Sequence, residues 1–143
     1  PHQRVFFSRY AYFDTYRMYE PARRTPITED HEVLLICGIA RTNYLLDYLH
    51  ERAGAVKLLQ FEDHHVYSRH DMEMMKKYYD NMVGEKRMIL TTEKDAMRLE
   101  SFRGFLSDNN MHIDILPIEV EFLFDEGPLF DEWVKQFLLN FKV

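Results

Sequence analysis

Three short segments hold the residues that chemistry could use. Residues 63–65 read Asp-His-His. Imidazole titrates near neutrality, so His64 or His65 held in a loop can take a proton from a hydroxyl. Asp63 and the two histidines are also metal-ligand types, but adjacent residues seldom aim at one ion and a closed site needs further donors. Residues 91–95 read Thr-Thr-Glu-Lys-Asp. Thr92 followed three residues later by Asp95 is a helix-capping pattern, as is Ser68 followed by Asp71 after the histidines, and Lys94 can reach a phosphate or a carboxylate. Residues 38–42 read Gly-Ile-Ala-Arg-Thr. Gly38 permits a sharp turn or a close approach, Thr42 or Asn43 can cap a following helix, and Arg41 beside an open helix N-terminus suits an anion. Each segment also has a plain reading: a strand-to-helix turn, a solvated polar loop with a structural Asp–His contact, and an ordinary helix cap.

The surrounding pattern says what must position them. Residues 33–37 form a continuous apolar run closed by Gly38, the mark of a strand buried on both faces. Residues 55–61 and 87–91 predict two more strands, and 113–124 holds strand material interrupted by Pro117. Helical spacing predicts helices over 43–53, 68–83 and 95–106, and a last one from Leu129 onward. In that last helix Phe130, Trp133, Val134, Phe137, Leu138 and Phe141 fall on one stripe, which reads as core. Alternating strands and helices predict an α/β fold, a three-layer, mostly parallel sheet with flanking helices in a Rossmann-like lobe. Ligands collect at the carboxyl ends of strands in such sheets, and all three segments follow predicted strands.

The first 20 residues differ. Phe6, Phe7, Tyr10, Tyr12, Phe13, Tyr16 and Tyr19 give an aromatic segment of high β-propensity, read as two short extended pieces forming a β-ribbon. Residues 21–26, Pro-Ala-Arg-Arg-Thr-Pro, read as a connector. The expected division is therefore a ribbon and linker over 1–31 and an α/β lobe over 32–143.

Composition removes several function classes. The 143 residues carry 18 Lys+Arg against 24 Asp+Glu, a formal charge of −6, which argues against a nucleic-acid binder dependent on a basic face. The lone Cys37 cannot form an internal disulfide and lies in the apolar run, where it reads as a buried filler. Nothing in the sequence assembles a metal site. No apolar stretch approaches the roughly 20 residues of a membrane-crossing helix, and no signal peptide opens the chain.

The three segments in this order, with the FFS opening at residues 6–8, the LPIEVEF stretch at 116–122 and the Phe-rich closing helix, resemble the C-terminal half of the tetraacyldisaccharide 4′-kinase family. The resemblance implies an enzyme of two α/β lobes joined by a two-stranded β linker. It implies phosphorylation of the 4′-hydroxyl of a tetraacyldisaccharide 1-phosphate, the lipid A precursor, with ATP and Mg²⁺ bound mainly by the N-terminal lobe. His64 is then the C-terminal lobe's member of the dyad that activates the sugar hydroxyl, and Asp63 helps to fix its loop. Gly38, Arg41, His65, Thr92 and Lys94 are candidates for substrate or phosphate contacts. The family often has Asn-Pro after the Gly-Ile-Ala turn, where this chain has Arg41-Thr42.

No Gly-x-x-x-x-Gly-Lys-Ser/Thr loop occurs, and phosphoryl transfer relies on such a cradle. The chain also opens with Pro1. The expectation is one lobe of the kinase, inactive alone, its partner being the enzyme's own N-terminal lobe. An acylated substrate implies peripheral contact with the cytoplasmic face of the bacterial inner membrane. Two other readings stand beside it: a metal-dependent phosphoesterase suggested by Asp-His-His itself, and an interaction module pairing its aromatic segment with a sheet edge.

Overall fold

The structure, a computed structural model, describes residues 3–39 and 41–141. Its strands are β1 (Ser8–Tyr12), β2 (Thr15–Arg17), β3 (Glu20–Thr25), β4 (His31–Cys37), β5 (Ala55–Gln60), β6 (Lys86–Thr92), β7 (Ile113–Leu116) and β8 (Ile118–Phe122). Its helices are α1 (Asn43–His50), α2 (Arg69–Asp80), α3 (Glu93–Leu99), α4 (Arg103–Asp108) and α5 (Gly127–Asn140). By contact the chain divides into two units, Phe13–Pro117 and Pro1–Tyr12 with Ile118–Val143. The division falls at residues 12–13 and 117–118.

The larger unit is built on a six-stranded sheet of order β3-β2-β7-β6-β4-β5. The four strands β7, β6, β4 and β5 are parallel, and β2 and β3 add an antiparallel edge. The α/β, mostly parallel sheet flanked by helices is thus the expected fold class. Val33, Leu34, Leu35, Ile36 and Cys37 have no exposed surface, as an unbroken apolar run between two layers requires. On one face of the sheet Leu34 and Ile36 pack with Met72 and Met75 of α2, Leu99, Leu106 and Ile89.

Three local expectations are corrected. Residues 21–26 are not a free connector, since most of them lie in β3. Pro21 is tolerated because β3 lies at the sheet edge, where a missing N–H breaks no ladder. The two extended pieces of the first 20 residues do not pair with each other: β1 pairs with β8, and β2 pairs with β3 and β7. The helix expected over 95–106 is broken into α3, a 3₁₀ turn at Glu100–Phe102, and α4, with Phe102 leaving helical geometry at ψ 15°. That break lets Leu99 and Leu106 both reach the core while Phe102 and Phe105 pack against it.

The smaller unit is the antiparallel pair β1–β8 followed by α5. Register runs from Ser8 opposite Phe122 to Tyr12 opposite Ile118. Pro117 ends the ladder of β7, and the chain then enters a different sheet. The α5 stripe is not core, because no residue of α5 is buried. Among the described residues no helix is long and apolar enough to cross a membrane.

Candidate functional site

The strand order reverses at β4: β5 pairs on one side of it and β6 on the other, both in parallel register. The crevice at the carboxyl ends of these strands is where such a sheet places ligands. The loops that follow β4 and β5 carry residues 38–42 and 61–68, and residues 92–95 are the direct passage from β6 into α3, so the topology brings the three candidate segments to one sheet edge.

A buried carboxylate ties two of these segments together. Asp95 has no exposed surface. Its Oδ2 accepts the Gly38 backbone N–H at 3.0 Å and the Thr92 hydroxyl at 3.0 Å, and Arg98 donates to its Oδ1 at 3.2 Å. In return the Asp95 backbone N–H donates to Thr92 Oγ1 at 3.3 Å, completing the cap of α3. Thr91 adds a second tie by donating to the Ile36 carbonyl at 2.8 Å. Gly38 is required by contact: a Cβ there would lie 2.9 Å from the Glu62 backbone carbonyl oxygen and 3.4 Å from Asp95 Oδ1. The buried Tyr67 hydroxyl lies beside Asp95 without a hydrogen bond of good geometry, and burial pushes its pKa up.

The loop after β5 carries the imidazoles in two different settings. His64 has φ 62°, a left-handed conformation that costs an L-residue roughly 1–2 kcal/mol. Its backbone N–H donates to Asp63 Oδ1 at 3.0 Å, and Lys94 Nζ donates to the same oxygen at 2.8 Å. The Lys94 hydrogen bond holds the Asp63 carboxyl below its ordinary value, aided by His64. The His64 ring is mostly exposed, its Nε2 3.7 Å from Asp63 Oδ2. That distance is too long for a hydrogen bond but close enough for the carboxylate to stabilise an imidazolium.

His65 points elsewhere. Its ring stacks on Phe61 with centroids 4.5 Å apart and meets Tyr67 edge-on at 5.2 Å. Its Nε2 donates to Asp71 Oδ2 at 3.1 Å. The same oxygen accepts the Ser68 backbone N–H and the Ser68 hydroxyl, each at 2.7 Å, within the capping box of α2. Burial works against ionisation of Asp71, but the bonds from Ser68 and His65 outweigh it and lower the pKa. A backbone bond from His65 N–H to the Glu62 carbonyl at 3.1 Å closes the turn.

The seven candidates therefore fall into groups. Asp63, His64 and Lys94 form one cluster, while Gly38 and Thr92 meet on Asp95. His65 is anchored to α2, and Arg41 is exposed and joins neither cluster. Ala40 of the Gly-Ile-Ala turn lies outside the described residues. Asp95 and Asp71 are the site residues the sequence reading passed over; both stood at capping positions, and nothing in sequence marked their second partners, Gly38 and His65. A hollow lined by Arg69, Glu73, Lys76 and Phe105 lies on α2 and α4, away from these loops, and Arg69 and Lys76 there pair with Glu73 and Asp80. Among the described residues no group of three or more His, Cys, Asp or Glu could hold a metal ion.

Comparison with known proteins follows the same line. The sequence model of the family described as Tetraacyldisaccharide-1-P 4′-kinase matches residues 3–139. A tetraacyldisaccharide 4′-kinase of Phocaeicola vulgatus is 32% identical over 141 residues, covering 96% of this chain and 38% of the relative. One of Parabacteroides distasonis is 31% identical over 137 residues, covering 93% of this chain and 37% of the relative. One of Bacteroides thetaiotaomicron is 28% identical over 144 residues, covering 94% and 38% respectively. The chain thus spans under two-fifths of the length of these curated relatives. No solved structure matches it.

Proposed function

The chain belongs to the tetraacyldisaccharide-1-P 4′-kinase family, and from that premise we propose that it is the C-terminal lobe of an enzyme phosphorylating the 4′-hydroxyl of a tetraacyldisaccharide 1-phosphate. The observation that carries this reading is His64, an exposed imidazole at the carboxyl edge of the sheet, its backbone left-handed and its N–H bonded to the Asp63 carboxylate that Lys94 also holds. In its neutral form the imidazole takes the proton of the substrate hydroxyl as the oxygen attacks. Asp63 stabilises the imidazolium that results, as carboxylates beside catalytic histidines do.

ATP and Mg²⁺ are the phosphoryl donor and its counter-ion in such chemistry. The residues of this chain do not fit them: the sequence has no Gly-x-x-x-x-Gly-Lys-Ser/Thr loop, and Asp63 is committed to Lys94 and the His64 amide. Their cradle belongs to a P-loop lobe elsewhere in a longer protein. An acylated substrate would bring that protein to a membrane surface, as a peripheral enzyme on the cytoplasmic face of the inner membrane. The same commitment of Asp63 weighs against a two-metal phosphoesterase, which needs that carboxylate turned toward further acids.

The test is His64→Ala in the longer protein. It should lower kcat by about 10²-fold or more while KM changes little, the usual scale for losing a general base. Turnover close to that of the unaltered enzyme would remove His64 from the mechanism.

A further inference from the structure

The turn that presents His64 is fixed at both ends, and by different means. His65 N–H donates to the Glu62 carbonyl at 3.1 Å, so residues 62–65 form a tight turn with His64 at its third position. A positive φ at that position, 62° here, ordinarily selects glycine or asparagine. The entering end continues the sheet: Phe61 N–H donates to the Cys37 carbonyl at 2.9 Å, and the Glu62 carbonyl oxygen lies against Gly38. Residues 65–67 belong to no strand or helix, and the leaving end is held instead by the His65 side chain.

That side chain is engaged on its face and at its tip. The ring stacks on Phe61 at 4.5 Å with the planes 25° apart, and Tyr67 meets it edge-on. Its Nε2 lies 3.1 Å from Asp71 Oδ2, and Asp71 is only 8% exposed. The same oxygen accepts the Ser68 amide and hydroxyl, so the acceptor is built into the first turn of α2. The His64 side chain, by contrast, is 79% exposed, and Asp63 Oδ2 lies 3.7 Å from its Nε2, beyond hydrogen-bond reach. Where so open a ring points is set by the backbone that carries it. An imidazole engaged as His65 is cannot turn toward a substrate without giving up its stack and its bond.

We infer that His65 is a positioning residue for His64, acting through the Nε2–Asp71 bond that ties the leaving end of the turn to the start of α2. The inference rests on the reading of His64 as the base and adds to it a residue that does not touch the substrate. Histidine suits the place because one ring both stacks and donates. Phenylalanine would stack without donating, and glutamine would donate without stacking.

Those two substitutions test it. In the longer protein His65→Phe should lower kcat by roughly 10- to 100-fold with KM within about twofold, because moving a reacting group by about 1 Å costs on that order. His65→Gln, which keeps a donor within reach of Asp71, should recover most of that loss. The reverse order, with His65→Phe retaining turnover and His65→Gln losing it, would mean that the ring only fills space and would overturn the inference. So would a loss carried by KM, the mark of a substrate contact. Nuclear magnetic resonance on the 143-residue chain reads the turn without turnover. The unaltered chain should show the strong intraresidue amide–Hα Overhauser effect of a left-handed His64, and a proton on His65 Nε2. His65→Phe should abolish that Overhauser effect. Its survival in His65→Phe would refute the coupling, as would a bare His65 Nε2, which is read on unaltered protein even where a variant fails to fold. The functional reading and this one fail separately. If His64→Ala leaves turnover intact while His65→Phe releases the turn, only the function falls. If His64→Ala abolishes turnover while His65→Phe changes neither kcat nor the turn, only the positioning falls.

Discussion

Replacing Asp95 by Ala removes the buried carboxylate that joins the Gly38 turn after β4 to the start of α3. The cost can be worked bond by bond. The Gly38 N–H would be left as a buried donor without its acceptor, worth about 1–3 kcal/mol. Loss of the reciprocal Thr92–Asp95 cap adds about 1 kcal/mol. Arg98 is partly exposed and can turn to water, so its pair adds no more than about 1 kcal/mol. The total of about 2–5 kcal/mol, at roughly 2–4 °C per kcal/mol for a chain of this size, predicts a fall of about 4–20 °C in Tm. Asp95→Asn should cost less, since its amide oxygen can keep Gly38 and Thr92 while the amide nitrogen faces Arg98. Tyr67→Phe is the internal control: its hydroxyl lies beside Asp95 without a good hydrogen bond, so removing it should change stability by less than about 0.5 kcal/mol. Circular-dichroism melts of the 143-residue chain at pH 7 measure all three. An Asp95→Ala shift below about 3 °C, or Asn as costly as Ala, would refute the brace.

Further outcomes are expected on the same chain. Gly38→Ala places a methyl 2.9 Å from the Glu62 carbonyl, so it should cost about 1–3 kcal/mol and move the amide resonances of residues 62–65; unchanged resonances would contradict the contact. Burial, with Asp95 nearby, pushes the Cys37 thiol up to about 12. Iodoacetamide at pH 8 should therefore label it at least about 10²-fold more slowly in the native chain than in urea, and equal rates would deny its burial. Because that pKa is raised, its contribution to stability is intact below the unfolded value near 9 and is lost as pH rises beyond it. Asp71 has the opposite sign: its lowered pKa gives stability that is full above 3.8 and is lost as pH falls through the native value. Asp71→Asn should cost about 1 kcal/mol at pH 7 and flatten that part of the acid limb, and an unaltered acid limb would show that the cap does not hold it.

Much of the larger unit was legible because its signals are local. The apolar run of β4, the Gly38 stop and the Ser68–Asp71 box need no partner to be recognised, and topology then brings the three strand-end segments together. The rest depends on pairing across the chain. Nothing in residues 21–26 says that their neighbours are β2 and a free edge, which is what makes Pro21 harmless in a strand. The α5 stripe has the period of a core helix, but period reports only that a face is apolar, not that this chain contains its cover. Asp95 and Asp71 read as caps because caps are contacts at three-residue spacing. Their longer-range partners, Gly38 at 57 residues and His65 on the far side of a turn, leave no such pattern.

The two supports of His64 are unequal, and that bears on what sets its position. The Asp63–Lys94 pair is substantially exposed on both sides, and such pairs are worth about 0–1 kcal/mol and weaken with salt. By itself it does not offset the roughly 1–2 kcal/mol of a left-handed residue. On the other side the His65 ring is stacked on Phe61 and bonded to a carboxylate that two donors of Ser68 already fix at the start of α2. Those contacts are part-buried, so salt screens them less. The left-handed turn at His64 therefore follows from where His65 is pinned, with Asp63 and Lys94 trimming the conformation of a residue whose two ends are already set.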